Sequence, residues 1–456
     1  MAQSRSFFSF HAQQYLRTFT YTGIALAPGL LTVAALAVSS AAGAETLEQA
    51  LVAAFARNPS LQGNRDLVRA AGEDVVQAKA AFGPTLEAEA RHAFTAARIR
   101  GAPPPAQDSG FATSAQLTLS QPLFTSGSLS ANLDAARAAA LAERERVRAA
   151  GQKLILDVVD AYVSLQRDIE LHGVALEIHR LLRQQRDATA SRYRLRDATA
   201  PDLDQTVNRL ELAAARVIAA RSAVEASAAR YRNLVGTYPD RLATPPALPA
   251  PPQLDALYAA AETHNPALAA AKYAEARSRA VLGAARARMR PQVRAFATVA
   301  RDPLTPYQNT LREESVSAGI SLTMPIYTGG QLSAAVREAM DRNLADQQFT
   351  EQVRRDVRES LAADWSVLRA TTEAMPRYDT AVRAAESAVE GVRQQERSGI
   401  RTLRDVLDVT NDLLTARTEA AQTRAEMYLR QIAVLRDAGL LDIGMFAPAL
   451  IGKPES

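Results

Sequence analysis

Two hydrophobic rhythms alternate along this chain, and each is written twice. Over Leu154, Val158, Ala161 and Leu165 the apolar positions step by four, three and four, the stripe of a packed α-helix. Leu203, Val207, Leu210, Ala214 and Val217 step in the same way. From about Leu129 to Arg192 there is no proline, and glycine occurs only at Gly151 and Gly173. As one helix that stretch is roughly 96 Å long, at ~1.5 Å per residue. Gln331 to Gln395 has the same texture, interrupted only by Pro376 and Gly391. Each long segment is followed by a turn and a shorter predicted helix, Pro201 to Val235 and Thr402 to Ala438. Another helix is predicted before Pro84 and before Pro291.

Between Pro84 and Phe124, and again between Pro291 and Tyr327, the period falls to two. Val316, Ala318, Ile320, Leu322 and Met324 alternate with Ser315, Ser317, Gly319, Ser321 and Thr323. Phe111, Ala115, Leu117 and Leu119 face away from Ser114, Gln116, Thr118 and Ser120. Leu86, Ala88, Ala90 and Phe94 oppose Glu87, Glu89 and Arg91, with His92 as a polar interruption of the apolar side. Val293, Ala295, Ala297 and Val299 form a fourth such face. Alternation over about ten residues suits a membrane-spanning β-strand, although a soluble hairpin shares the pattern. The loops Ala96 to Gly110 and Arg301 to Glu314 then join the strands in pairs.

The two halves correspond residue by residue. Asn58-Pro59 recurs as Asn265-Pro266, and Pro84 as Pro291, at an offset of 207. From Pro122 onward the offset is 203, pairing Tyr162 with Trp365, Asp202 with Asp405 and Gly236 with Gly439. These marks divide the chain into a leader (1–44), a first repeat (45–236), a connector with six prolines (237–252), a second repeat (253–439) and a C-terminal tail (440–456).

Composition narrows the setting. Arg5 and Arg17 precede a mostly apolar run from Gly23 to Val38, and Ala42-Gly43-Ala44 ends it as a cleavage site would. The expected mature start is Glu45. The leader carries two arginines and no acid, so its removal lowers the formal charge from +4 to +2. Nearly balanced charge gives no electrostatic case for nucleic acid. The absence of cysteine excludes disulfides and thiolate metal sites, and no cofactor motif is present. There is no nucleophile elbow, Gly-rich phosphate loop or H-E-x-x-H motif, and the five histidines are scattered, so an enzyme is not expected. Four strands cannot close a barrel, and open edges are not tolerated in lipid. Several chains must therefore share one barrel, with the helices extending its wall.

The strand-to-helix junctions Pro122-Leu123-Phe124-Thr125-Ser126-Gly127 and Pro325-Ile326-Tyr327-Thr328-Gly329-Gly330, with the turn Ser398-Gly399-Ile400-Arg401-Thr402-Leu403-Arg404-Asp405-Val406-Leu407-Asp408, resemble those of the TolC family of outer-membrane factors. The resemblance covers the whole mature length. It implies a mostly α fold with a membrane β-barrel contribution, closing as a homotrimer with twelve strands in outer-membrane lipid and a periplasmic helical tunnel. It implies a periplasmic adaptor and an inner-membrane transporter, of ABC type in the type I protein-secretion branch that this chain most resembles. Drug or small-molecule efflux is the alternative, and an exported coiled-coil scaffold is the alternative from another class. Asp405 and Asp408, three apart on one helical face, are implied to ring a cation-attracting entrance, with some carboxylate pKa values raised by crowding in a trimer. Arg401 and Asp202 match positions that latch the tip. Glu396 stands where the family pattern has a tyrosine, and Ser126 where it has the first junction glycine.

Overall fold

The computed structural model describes residues 44–98, 107–239 and 241–446. The predicted leader, apart from Ala44, and residues 447–456 of the tail lie outside the described residues. Element order repeats as the sequence does. The first half runs α1 (Leu47–Arg57), α2 (Pro59–Ala80), β1 (Thr85–Arg98), β2 (Gln107–Phe124), α3 (Ser128–Arg194) and α4 (Ala200–Val235). The second runs α5 (Leu254–His264), α6 (Pro266–Ala287), β3 (Gln292–Thr305), β4 (Gln308–Thr323), α7 (Gln331–Arg397) and α8 (Leu403–Asp437).

The recurrent Asn-Pro pair is a helix start. Asn58 Oδ1 accepts from Leu61 N–H and Asn265 Oδ1 from Leu268 N–H, both at 3.0 Å, while the proline occupies the first turn where no amide is needed. The long helices begin at glycines in the left-handed region, Gly127 and Gly330, each with φ 87°. Gly329, just before, has φ 60°, and its counterpart Ser126 has φ 52°. A side chain is strained there. Ser126 Oγ donates to Pro291 O at 2.5 Å, a tie between the halves that glycine would lack.

Both α3 and α7 are single helices of 67 residues. Pro376 lies inside α7 without ending it. It and Thr372, whose carbonyl it leaves unpaired, are exposed to solvent. The predicted stripe Leu154, Val158, Ala161 and Leu165 is buried as expected, in a core with Leu47, Leu51 and Ala54 of α1, Tyr231 and Val235 of α4, and Ile432 and Leu435 of α8. The stripe on α4 is shifted. Val207 is exposed, and burial instead follows Thr206, Leu210 and Ala213, because α3 meets that side of α4. A second core nearer the helical tips joins Ile178, Leu181 and Leu182 to Leu210, Val389, Leu407 and Leu413.

The start of the first repeat lies against the connector just past that repeat's end, and the start of the second lies near its own end. Glu45 N–H donates to Arg241 O at 2.8 Å, and Ala243 N–H to Glu45 O at 2.9 Å. The buried Tyr162 hydroxyl, with one proton, lies 2.7 Å from both Glu45 O and Ala243 O. In the second repeat Asn265 Nδ2 donates to Asp437 O at 2.8 Å.

The strands form one antiparallel sheet in the order β1-β2-β3-β4. Its register unites the four apolar faces: Leu86 opposes Leu119, Leu117 opposes Val299, and Val293 opposes Leu322. Leu86, Val299, Val316, Ile320 and Leu322 are exposed on that face. On the opposite face, Gln116 Nε2 donates to Glu89 Oε2 at 2.6 Å, and the Thr118 and Thr298 hydroxyls are 3.4 Å apart. His92 stacks on Phe111 at 5.1 Å and shares a 2.9 Å hydrogen bond with Thr113 Oγ1, which accommodates the polar interruption. β1 and β4 leave the sheet with two open edges. The predicted external loops are shorter than expected, since strands continue to Arg98 and from Gln107, and β3 and β4 are separated only by Pro306 and Tyr307. No described helix is long and apolar enough to cross a membrane.

Candidate functional site

At the end of the helices away from the sheet, two turns carry the candidate residues. Residues 195–199 join α3 to α4, and 398–402 join α7 to α8. Both following helices begin with the same capping box. Thr402 N–H and Oγ1–H donate to Asp405 Oδ2 at 2.9 Å each, and Asp405 N–H donates back to Thr402 Oγ1 at 3.3 Å. In the first repeat Thr199 N–H and Oγ1–H donate to Asp202 Oδ2 at 3.0 and 2.6 Å, and Asp202 N–H returns a 3.4 Å bond. Each aspartate thus satisfies amides that the helix start leaves unpaired.

These bonds act on the charge. The Thr402 amide and hydroxyl hold the Asp405 carboxyl below its ordinary range, with Arg401 and Arg404 adding to the effect. The Thr199 hydroxyl and amide do the same for Asp202. Hydrogen bonds to the ionised form favour that form. Within one chain the local influence on Asp405 is therefore opposite to that expected from crowding in a trimer. Asp408 lies 3.8 Å from both Arg209 Nη2 and Arg404 Nε.

Arg401 makes no hydrogen bond or ion pair with Asp202 within the chain, among the described residues; Asp202 is engaged by Thr199. Glu396 has a clear partner. It is buried in the last turn of α7, with Oε1 2.7 Å from Arg192 Nη1 in the last turn of α3, an ion pair by distance that is not aligned as a hydrogen bond. That pair fastens the far ends of the two long helices. Reading the chain in order did not find it, because the partners are 204 positions apart and meet only once both helices are laid side by side.

Two further rungs lie behind the tip. Arg417 of α8 reaches Glu177 of α3 at 2.5 Å and Glu386 of α7 at 2.7 Å. One heptad on, Arg424 reaches Glu170 of α3 at 3.2 Å and Asp379 of α7 at 3.9 Å. Each arginine bridges the first repeat to the second. Their signal was present as charges seven apart on three helices, beside the apolar stripe.

An amphipathic four-stranded sheet with open edges, joined through sharp junctions to two 67-residue helices that end in capped acidic turns, defines a subunit of an outer-membrane channel. The chain belongs to the outer membrane efflux protein family, whose pattern matches residues 50–237 and 257–439. It is 26% identical to the outer membrane efflux protein BepC of Brucella suis over 91% of this chain and 90% of that one. It is 28% identical to the alkaline protease secretion protein AprF of Pseudomonas aeruginosa, over 72% of this chain and 69% of the other. Among solved structures, the CmeC outer membrane channel of Campylobacter jejuni superimposes with a TM-score of 0.77 at 13% identity, covering 86% of this chain and 85% of that one. The protein is an outer-membrane efflux channel and a passive conduit, not an enzyme.

Proposed function

We propose that three copies close one twelve-stranded barrel and one helical tunnel, forming the exit duct of a tripartite export system. The carrying observation is the sheet, which has one continuous apolar face and two unpaired edges. Lipid tolerates strands only when every edge is paired, and identical neighbours supply the pairing between β1 and β4. The leader 1–44 is removed, leaving Glu45 first. A periplasmic adaptor docks the tunnel to an inner-membrane transporter, which supplies the energy.

The cargo in this reading is a protein, exported through the type I route with an ABC transporter. The printed role of AprF in protease secretion supports it. The lack of any cysteine to lipidate sets aside lipid-anchored efflux relatives and leaves both cargo readings standing. Small-molecule efflux is the second reading, favoured by the name of BepC.

Asp405 and Asp408 form the entrance constriction, six carboxylates around the trimer axis. Arg192 and Glu396 hold each chain's tip closed, and Arg401 is left free to reach Asp202 of a neighbouring chain. The adaptor opens the tip by binding the open arrangement better than the closed one. The test is planar-bilayer conductance of the purified trimer, whose chains should begin at Glu45. Asp405→Ala combined with Asp408→Ala should lower cation selectivity several-fold with the trimer intact. Unchanged selectivity sinks the constriction, and failure to form a trimer or insert sinks the duct.

A further inference from the structure

The sheet is not open along its whole height. At the end away from the helices, β3 leaves β2 after Arg301, whose partner Ala115 is the last in their register. The β3–β4 ladder slips between Pro303 and Thr305, and such a bulge bends and re-aims the ribbon beyond it. The tip of the hairpin then lies over β2.

Three contacts fix which face it covers. A Cβ at Gly110 would fall 2.0 Å from Tyr307 O, so the tip backbone rests where only glycine leaves room. Even-numbered positions of β2 point to the polar face, as the Gln116 and Thr118 bonds show, and the β1–β2 register is unbroken between them and Gly110. Ala112, on that same face, is buried although its strand neighbours Phe111 and Thr113 are exposed. Beyond the β2–β3 register, Thr113 N–H donates to Asn309 Oδ1 at 2.8 Å, so a side chain from the tip takes a strand amide that β3 has abandoned.

We propose that residues 303–309 are a lid folded inward over the outer mouth of the duct, hinged at the Pro303–Thr305 bulge and held by the Asn309-to-Thr113 bond and the Gly110 seat. This rests on the barrel reading above, in which the polar face lines the lumen. Three lids converge there, making a constriction at the opposite end from the aspartates. One hydrogen bond and one backbone seat per chain make it releasable, so outgoing cargo can push it aside while the resting mouth stays narrow.

Since the chain has no cysteine, single reporters are clean. Ala112→Cys and Leu304→Cys would be labelled on intact cells with a membrane-impermeant maleimide, in the full-length protein. Leu304 is 60% exposed at the hinge and should react fast. Ala112→Cys should react roughly tenfold more slowly, and adding either Asn309→Ala or Gly110→Ala should remove most of that protection. Fast labelling of Ala112→Cys in the otherwise unaltered protein, or slow labelling that neither change relieves, overturns the lid. If Leu304→Cys labels only after the outer membrane is breached, the orientation of the barrel is wrong and the lid falls with it.

Discussion

Thr402 and Asp405 exchange hydrogen bonds in both directions, and this gives Asp405 a structural duty besides any role in conduction. Its folded-state pKa is depressed below 3.8, so the stability it contributes is complete above that value and is lost as pH falls through the lower, folded one. Thr402→Ala should cost about 1 kcal/mol at neutral pH, the usual worth of a threonine cap. The difference from the unaltered protein should shrink once the carboxyl is protonated in both states. Urea melts between about pH 2 and 6 check this, and a pH-independent difference would mean that the carboxylate does not share the cap. The caps carry a local signal, Thr-x-x-Asp before a helix, but in the sequence Asp405 and Asp202 were legible only as entrance and latch residues. The Arg192–Glu396 pair was not legible, because it depends on where two helices end relative to each other. Glu396 stood out only as a departure from the expected tyrosine, and in the structure it is buried beside Arg192.

Helices and strands were readable wherever one period ran long enough. Leu154 to Leu165 and Val316 to Leu322 keep their faces in the structure. Val207 did not, since a stripe seen in one helix does not say which neighbour meets it. Pro376 stands inside α7 with Thr372 also exposed, so the carbonyl it leaves without an amide partner faces solvent. The arginine rungs belong to this scale as well. Arg417→Met keeps the stem and removes both ion pairs, leaving Glu177 and Glu386 at 40% and 45% exposure. The loss should be about 1 kcal/mol, since partly exposed acids are screened by solvent. Arg424→Met, whose contacts are 3.2 and 3.9 Å, should lose less. Thermal melts of both variants decide, and an equal or larger loss for Arg424→Met would show that these distances do not rank the rungs.

At the scale of the molecule, the sequence pointed to several chains sharing one barrel, because four amphipathic strands leave two edges. It did not indicate the folded-over hairpin, whose only local mark is a glycine among many. The pairing of Glu45 with Arg241 and Ala243, and of Asn265 with Asp437, has a consequence for how such a chain arose. A unit whose beginning and end lie close together can be copied in tandem without stretching anything, and the join needs only a short span of chain. On that view each repeat descends from one smaller unit, and the proline-rich connector, bonded through its Pro246 and Pro249 carbonyls to Tyr428 and Gln431, is the span that joins them. Cutting the connector between Pro251 and Pro252, past those bonds, should leave two halves that reassemble when each has its own leader. Recovery of a heat-resistant complex would support that descent; halves that never meet would show that the fusion has since become essential. If they do meet, three chains closing one duct are equivalent to a ring of six repeats, bound two by two.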